Sequence, residues 1–129
     1  MPHDLTLEVD GRDEMSLLGL MLGDVLGASL ARPELAALAR RLSGAIGVRA
    51  GGMDVTISFD RGRVVVTRGA AERARARVKG SLDALLQVSL GRGAIRSFLA
   101  GEIGFSGSPF FLLKALPLLR VRGGRRGGG

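Results

Sequence analysis

No cysteine, tryptophan or tyrosine occurs in these 129 residues, and histidine occurs once. Each absence removes chemistry. Without thiols there is no disulfide, no thiolate nucleophile and no cysteine-ligated zinc. The single imidazole, His3, sits close to the start, where chains are commonly poorly ordered. A Ser-His-Asp triad or a histidine metal site has no other imidazole to draw on. Carboxylates remain, but Asp54, Asp60 and Asp83 stand where a turn, a strand or a helix cap accounts for them. The sequence reads as non-enzymatic, with no cofactor and no metal. Clean apolar runs are also missing. The longest, Met15 to Ala31, contains Asp24 and falls short of the ~20 apolar residues of a transmembrane helix. The opening MPHDLTLEVDGRDE is acidic where a secretory signal is basic. The expectation is a cytoplasmic chain with at most peripheral membrane contact.

What is present is globular in kind. Apolar residues make up 46% and charged residues 24%, enough for one packed domain. Net charge is +7, from 17 Arg and 2 Lys against 12 acids. Arg122, Arg125 and Arg126 in the closing RGGRRGGG supply part of it. Those residues, 122–129, are expected to form a flexible tail. A basic balance suits anionic partners and also aids solubility.

Alternation and turn residues outline the elements. DLTLEVD (4–10) suits a short strand or arm. Residues 13–30 read as a helix, with Asp13 and Glu14 at its start and Gly19, Gly23 and Gly27 on one face. That face permits close approach of a neighbouring element, a second copy of the chain or a bilayer. Pro33 opens a second helix with Leu35, Leu38 and Leu42 as its stripe. Strands follow at 44–50, 53–60 and 63–68, joined at Gly51-Gly52 and Asp60-Arg61-Gly62. Residues 73–79 alternate Ala74, Ala76 and Val78 with Arg73, Arg75, Arg77 and Lys79. The basic row suits either a solvated sheet face or phosphate binding. The small side leaves volume for a helix or a ligand. Ser81 caps a helix reaching about Leu90, and a short helix is expected around Ile95, Phe98 and Leu99. A strand at 102–106 and a helix opened by Ser108-Pro109 complete the chain. In that last helix, FFLLKALPLL is apolar nearly all round, so something must cover it.

In this order, MDVTISFDRGRVVVTRG (53–69), ARVKGSLDALLQVSLGRG (76–93) and FLAGEIGFSGSPFFLLKAL (98–116) resemble a sterol carrier protein type-2 (sterol-binding) domain. Gly62 and Gly69 match one glycine pair of that pattern, and Gly101 and Gly107 a second. The resemblance implies an α+β fold. A five-stranded, mainly antiparallel sheet carries helices on one face around an apolar tunnel. Residues 1–43 then form an arm and helices packed on a core at 44–121. Arg-over-Lys usage fits a stand-alone member of bacterial type.

The function this implies is binding of an apolar ligand: a fatty acyl chain, phospholipid, sterol-like or isoprenoid-quinone molecule. The expected lining is Ile57, Phe59, Val64, Val66, Ala74, Ala76, Leu85, Leu86, Phe98, Phe105, Phe110, Phe111, Leu113 and Leu116. Burying an acyl chain contributes about 0.8 kcal/mol per methylene, so little polar help is required. The alternative is an accessory or scaffold module, for example in quinone metabolism. It would form a homodimer or touch a membrane through its apolar helices. Specific nucleic-acid recognition is not expected, because no Tyr or Trp is available to stack on bases.

Overall fold

A computed structural model describes residues 5–89, 101 and 103–119, the side chains of 86–89 excepted. The expected end of the Ser81 helix at Leu90, the helix around Ile95–Leu99, the strand position Glu102 and the tail 122–129 lie outside the described residues.

The strands are β1 (Thr6–Val9), β2 (Ser43–Ala50), β3 (Met53–Asp60), β4 (Arg63–Arg68), β5 (Ala76–Gly80) and β6 (Ile103–Gly107). They form one sheet in the order β1-β4-β3-β2-β5-β6. The sheet therefore has six strands where five were expected. The added one is β1, which runs parallel to β4 with Leu7 and Val9 opposite Val64 and Val66. The β2-β3-β4 meander rests on two tight turns. Gly51 and Gly52 both have positive φ, as do Arg61 and Gly62, which matches the right-handed twist of the flanking strands. β5 then pairs parallel to β2, and β6 antiparallel to β5.

The helices are α1 (Leu17–Leu30), α2 (Pro33–Ala39), α3 (Leu82–Ser89) and α4 (Pro109–Ala115), the last running into a 3-10 turn at Leu116–Leu119. Helix α1 starts four residues later than expected. A 3-10 turn takes Arg12–Glu14, and the Ser16 hydroxyl accepts the Gly19 N–H to cap α1. Ser81 and Ser108 cap α3 and α4 as anticipated, accepting from Ala84 and Phe111. None of the described helices is long and apolar enough to cross a membrane.

Strand alternation sorts the residues. Ile46, Val55, Ile57, Val64 and Val66 are completely buried, with Leu26 of α1 and Leu118 after α4 closing over them. Each such side chain contributes roughly 1.5–3 kcal/mol by leaving water. Helix α1 packs on β1, β4 and β3; its Gly23 and Gly27 face β1, and Gly19 lies against Met15. A Cβ at Gly23 would lie 2.8 Å from Val9 Cγ2, and one at Gly27 3.5 Å from Leu7 Cδ2. The small-residue face is thus used for packing within the chain.

Gly107 holds φ +94°, and a Cβ there would run into the Arg75 carbonyl oxygen; Gly52 holds φ +79° with open space around it. Gly52→Ala is expected to cost about 1 kcal/mol, the left-handed penalty alone. Gly107→Ala adds a backbone collision and should cost at least ~2 kcal/mol. Urea unfolding of both variants checks the ranking; equal losses would contradict it.

Candidate ligand-binding site

The β2–β5–β6 register lays out the helix-side face in rows. Ile46, Ala76 and Gly107 form the first, Val48, Val78 and Phe105 the second, and Ala50, Gly80 and Ile103 the third. In the first row Ile46 and Ala76 are completely buried and Gly107, at the end of β6, is exposed; α4 touches β5 here. Protein fills the volume that Ala76 leaves. In the second and third rows burial lessens from β2 outward. Val48 and Ala50 are buried, whereas Val78, Ile103 and Phe105 are half-buried. Leu82 and Leu85 of α3 and Leu112 of α4 pack at the edge of the core.

Of the expected lining residues, Ile57, Phe59, Val64, Val66, Ala76 and Phe111 come together as one packed cluster. The Phe59 and Phe111 rings meet edge to face, 6.4 Å apart at 74°, a favourable arrangement for aromatic quadrupoles. Leu85 is half-buried against this cluster, and Phe105 and Leu116 are half-buried as well. Phe98 and the side chain of Leu86 lie outside the described residues.

Three expectations are corrected. Phe110 and Leu113 are 75% and 64% exposed and do not point inward. Phe111, Ala115 and Leu118 occupy the buried stripe, which at 3.6 residues per turn leaves Leu113 opposite and Phe110 beside it. Ala74 lies before β5, which begins only at Ala76, so it is half-buried in the approach to the sheet. For the same reason the basic row is broken. Arg75 turns to the helix side, its guanidinium carbon 4.7 Å from the Phe111 ring centroid. There its Nη1 donates to the Ser43 carbonyl at 3.0 Å, while its own carbonyl accepts the Ser108 N–H at 2.7 Å. Arg75 thus ties β2, β5 and the start of α4 together. Sequence reasoning passed over Val48, Val78 and Ile103 as site residues. Their alternation was visible, but the parallel β2–β5 register that aligns them is a long-range fact.

Among the described residues no group of three or more His, Asp or Glu side chains could hold a metal ion. The helix-side surface near β5 and β6 is built of aliphatic and phenyl groups, so its chemistry is exclusion of water and accommodation of shape.

Comparison with known proteins agrees with this architecture. The sequence profile of the SCP-2 sterol transfer family matches residues 24–120. No curated protein sequence matches the chain. Among solved structures, a protein described as UbiJ-SCP2 ubiquinone synthesis protein superposes with a TM-score of 0.66 at 18% identity, over 80% of this chain and 93% of that one. Sterol carrier protein domain 2 of Helicoverpa armigera gives 0.64 at 17% identity, over 86% and 91%. Sterol carrier protein 2 from Yarrowia lipolytica gives 0.58 at 15%, over 81% and 95%. At these identities the likeness is one of fold.

The contrast between neighbours on α4 is testable. Phe111→Ala should cost about 3–5 kcal/mol, the usual loss for a buried phenyl ring. Phe110→Ala should stay within roughly 0.5 kcal/mol, as surface changes do. Denaturant titration of the two variants measures both, and comparable losses would contradict the assigned face of α4.

Proposed function

The chain belongs to the SCP-2 sterol transfer family, whose members bind or transport lipids, and from that premise we infer that it holds a single apolar ligand without transforming it. Candidate ligands are a fatty acyl chain, a phospholipid, a sterol-like molecule or an isoprenoid quinone. The observation that carries this reading is the gradient of burial along the helix-side face. The face is apolar across its whole width, buried at its centre from Val64 and Val66 to Ile46 and Val48, and half-buried toward its edges, at Leu7 and Val9 beside α1 and at Val78, Ile103 and Phe105. Apolar surface of this kind gains about 25 cal/mol per Å² when a ligand removes it from water. An acyl or isoprenoid chain lying along β5 and β6, beside Leu82, Leu85 and Leu112, supplies that cover. Nothing polar among these side chains selects a head group, so selectivity rests on shape and length.

Exchange with a membrane follows from the same arrangement. Phe110 and Leu113 stand exposed on α4, the helix whose other side closes the core. They are placed to enter a bilayer surface while the ligand moves in or out. The chain then works as a carrier or presenter of lipid in lipid or quinone metabolism, the latter being the setting of the structurally similar UbiJ ubiquinone synthesis protein. A glycine-mediated homodimer has less support, because the α1 glycine face is occupied by β1.

Gently purified protein should release an apolar molecule detectable by mass spectrometry and should bind a fluorescent fatty acid saturably. Ile103→Asp should weaken that binding by about tenfold or more, since a charge is costly on a surface that must dehydrate. Absence of both co-purifying lipid and saturable binding would overturn the proposal.

A further inference from the structure

On the side of the sheet away from the helices, Gly47, Arg49, Arg77, Lys79, Gly104 and Ser106 line a depression of about 440 Å³, which the intervening strand residues Val48, Val55, Val78 and Phe105 also border. Its floor is glycine. Gly47 is the register partner of Arg77, and Gly104 that of Lys79. A Cβ at Gly47 would lie 3.5 Å from Arg77 Cγ, and one at Gly104 would lie 3.2 Å from Lys79 Cε. Each cation therefore lies down over a glycine of the adjacent strand. One wall is the β4–β5 connection, 69–75, which contributes Ala70. Thr56 Oγ1 donates to the Gly69 carbonyl at 2.9 Å, and Arg77 Nη2 donates to the carbonyls of Ala71 at 3.0 Å and Glu72 at 3.4 Å. These bonds hold the connection on this side and orient the guanidinium. Arg77 Nη1 and Nε make no hydrogen bond among the described residues, and Nη1 lies over Gly47.

The charges there are not balanced. Arg49 and Lys79 are direct cross-strand partners, and like charges placed opposite each other destabilise a sheet. The one carboxylate in the lining, Asp54, reaches Arg49 only at 3.8 Å. Lys79 forms no ion pair among the described residues. Three cations against one acid, around the two glycines, give the depression a net positive charge. Its volume falls within the range of small-molecule sites. Two arginine forks and a lysine match the several oxygens of a phosphate better than a lone carboxylate.

We propose that this depression is a second ligand site, separated from the apolar one by the thickness of the sheet, that takes a phosphate or pyrophosphate group. The group belongs either to a free phosphorylated molecule or to an anionic lipid head group, and the experiment separates the two. Isotope-labelled full-length protein is titrated with inorganic pyrophosphate at low ionic strength. The amide resonances of Arg49, Arg77, Lys79 and Gly104 should shift saturably, and those of Leu26 and Leu118 should not. The R77A/K79A double variant should bind about tenfold or more weakly, as loss of charged hydrogen bonds implies. Lys114→Ala removes a cation from α4 on the other side of the sheet and should bind as the parent does. In the second arm, vesicles of phosphatidylglycerol in phosphatidylcholine are sedimented with the same proteins. Saturation by pyrophosphate assigns the site to free phosphates. If pyrophosphate fails but the double variant, and not Lys114→Ala, loses the vesicles, the site takes a lipid head group. If pyrophosphate shifts no resonance of the depression, and the double variant keeps the vesicles as well as Lys114→Ala does, the proposal is overturned. The pyrophosphate arm involves neither an apolar ligand nor a bilayer, so its outcome is independent of the carrier reading.

Discussion

The parallel pairing of β2 with β5 is the constraint on which the rest of the structure depends. β2 is the hinge of the sheet, bonded to β3 by a local hairpin and to β5 by a long crossover. A shift of one residue in that second pairing would move every side chain of β5 and β6 to the opposite face. Ala76 and Val78 would leave the core side, and Arg77 and Lys79 would enter it. Burying two unpaired cations costs far more than any local preference could offset, so the register is held by the core itself. Arg75 reinforces it from outside the strand. Its backbone N–H donates to the Ala45 carbonyl at 2.8 Å, and its side chain lies against Phe111, so strand start, neighbouring strand and closing helix are fixed at one point.

The same register gives the molecule two unlike surfaces. One face is aliphatic and phenyl, buried under helices at its centre and half-buried at Val78, Ile103 and Phe105. The other is polar, with Arg77 and Lys79 of β5 lying over Gly47 of β2 and Gly104 of β6. The half-buried end of the apolar face at β5 thus backs onto a basic surface. Both proposed sites lie in the β5–β6 half, while the β1-β4-β3 half packs under α1.

Much of this was legible in local chemistry. Gly51-Gly52 and Asp60-Arg61-Gly62 announced their hairpins because positive φ at both central residues suits few others. Ser81 and Ser108 announced their helices through the N–H groups they cap. Strand alternation at 53–60 assigned Ile57 and Phe59 to the interior, where they are; the run Val64-Val65-Val66 suited burial on both faces, and of it Val64 and Val66 are completely buried while Val65 is half-buried. What the residues did not reveal is non-local. β1 becomes a sixth strand only because β4 offers an edge next to α1. α4 is so uniformly apolar that its pattern could not say which side is buried; Phe111 wins because Phe59 and Arg75 meet it there. The basic row looked continuous from 73 to 79, yet alternation has meaning only where a strand is paired, and pairing starts at Ala76.

An apolar chain held on the helix side of β5 and β6 is the centre of this account. The most direct test places a spin-labelled fatty acid in the protein and reads paramagnetic broadening of side-chain methyl signals. Strong broadening is expected at Val78, Ile103, Leu82 and Leu112, with weaker effects at Thr6 and Thr67 on the opposite face of the far half of the sheet. Broadening confined to that opposite face, or spread evenly over the surface, would contradict it.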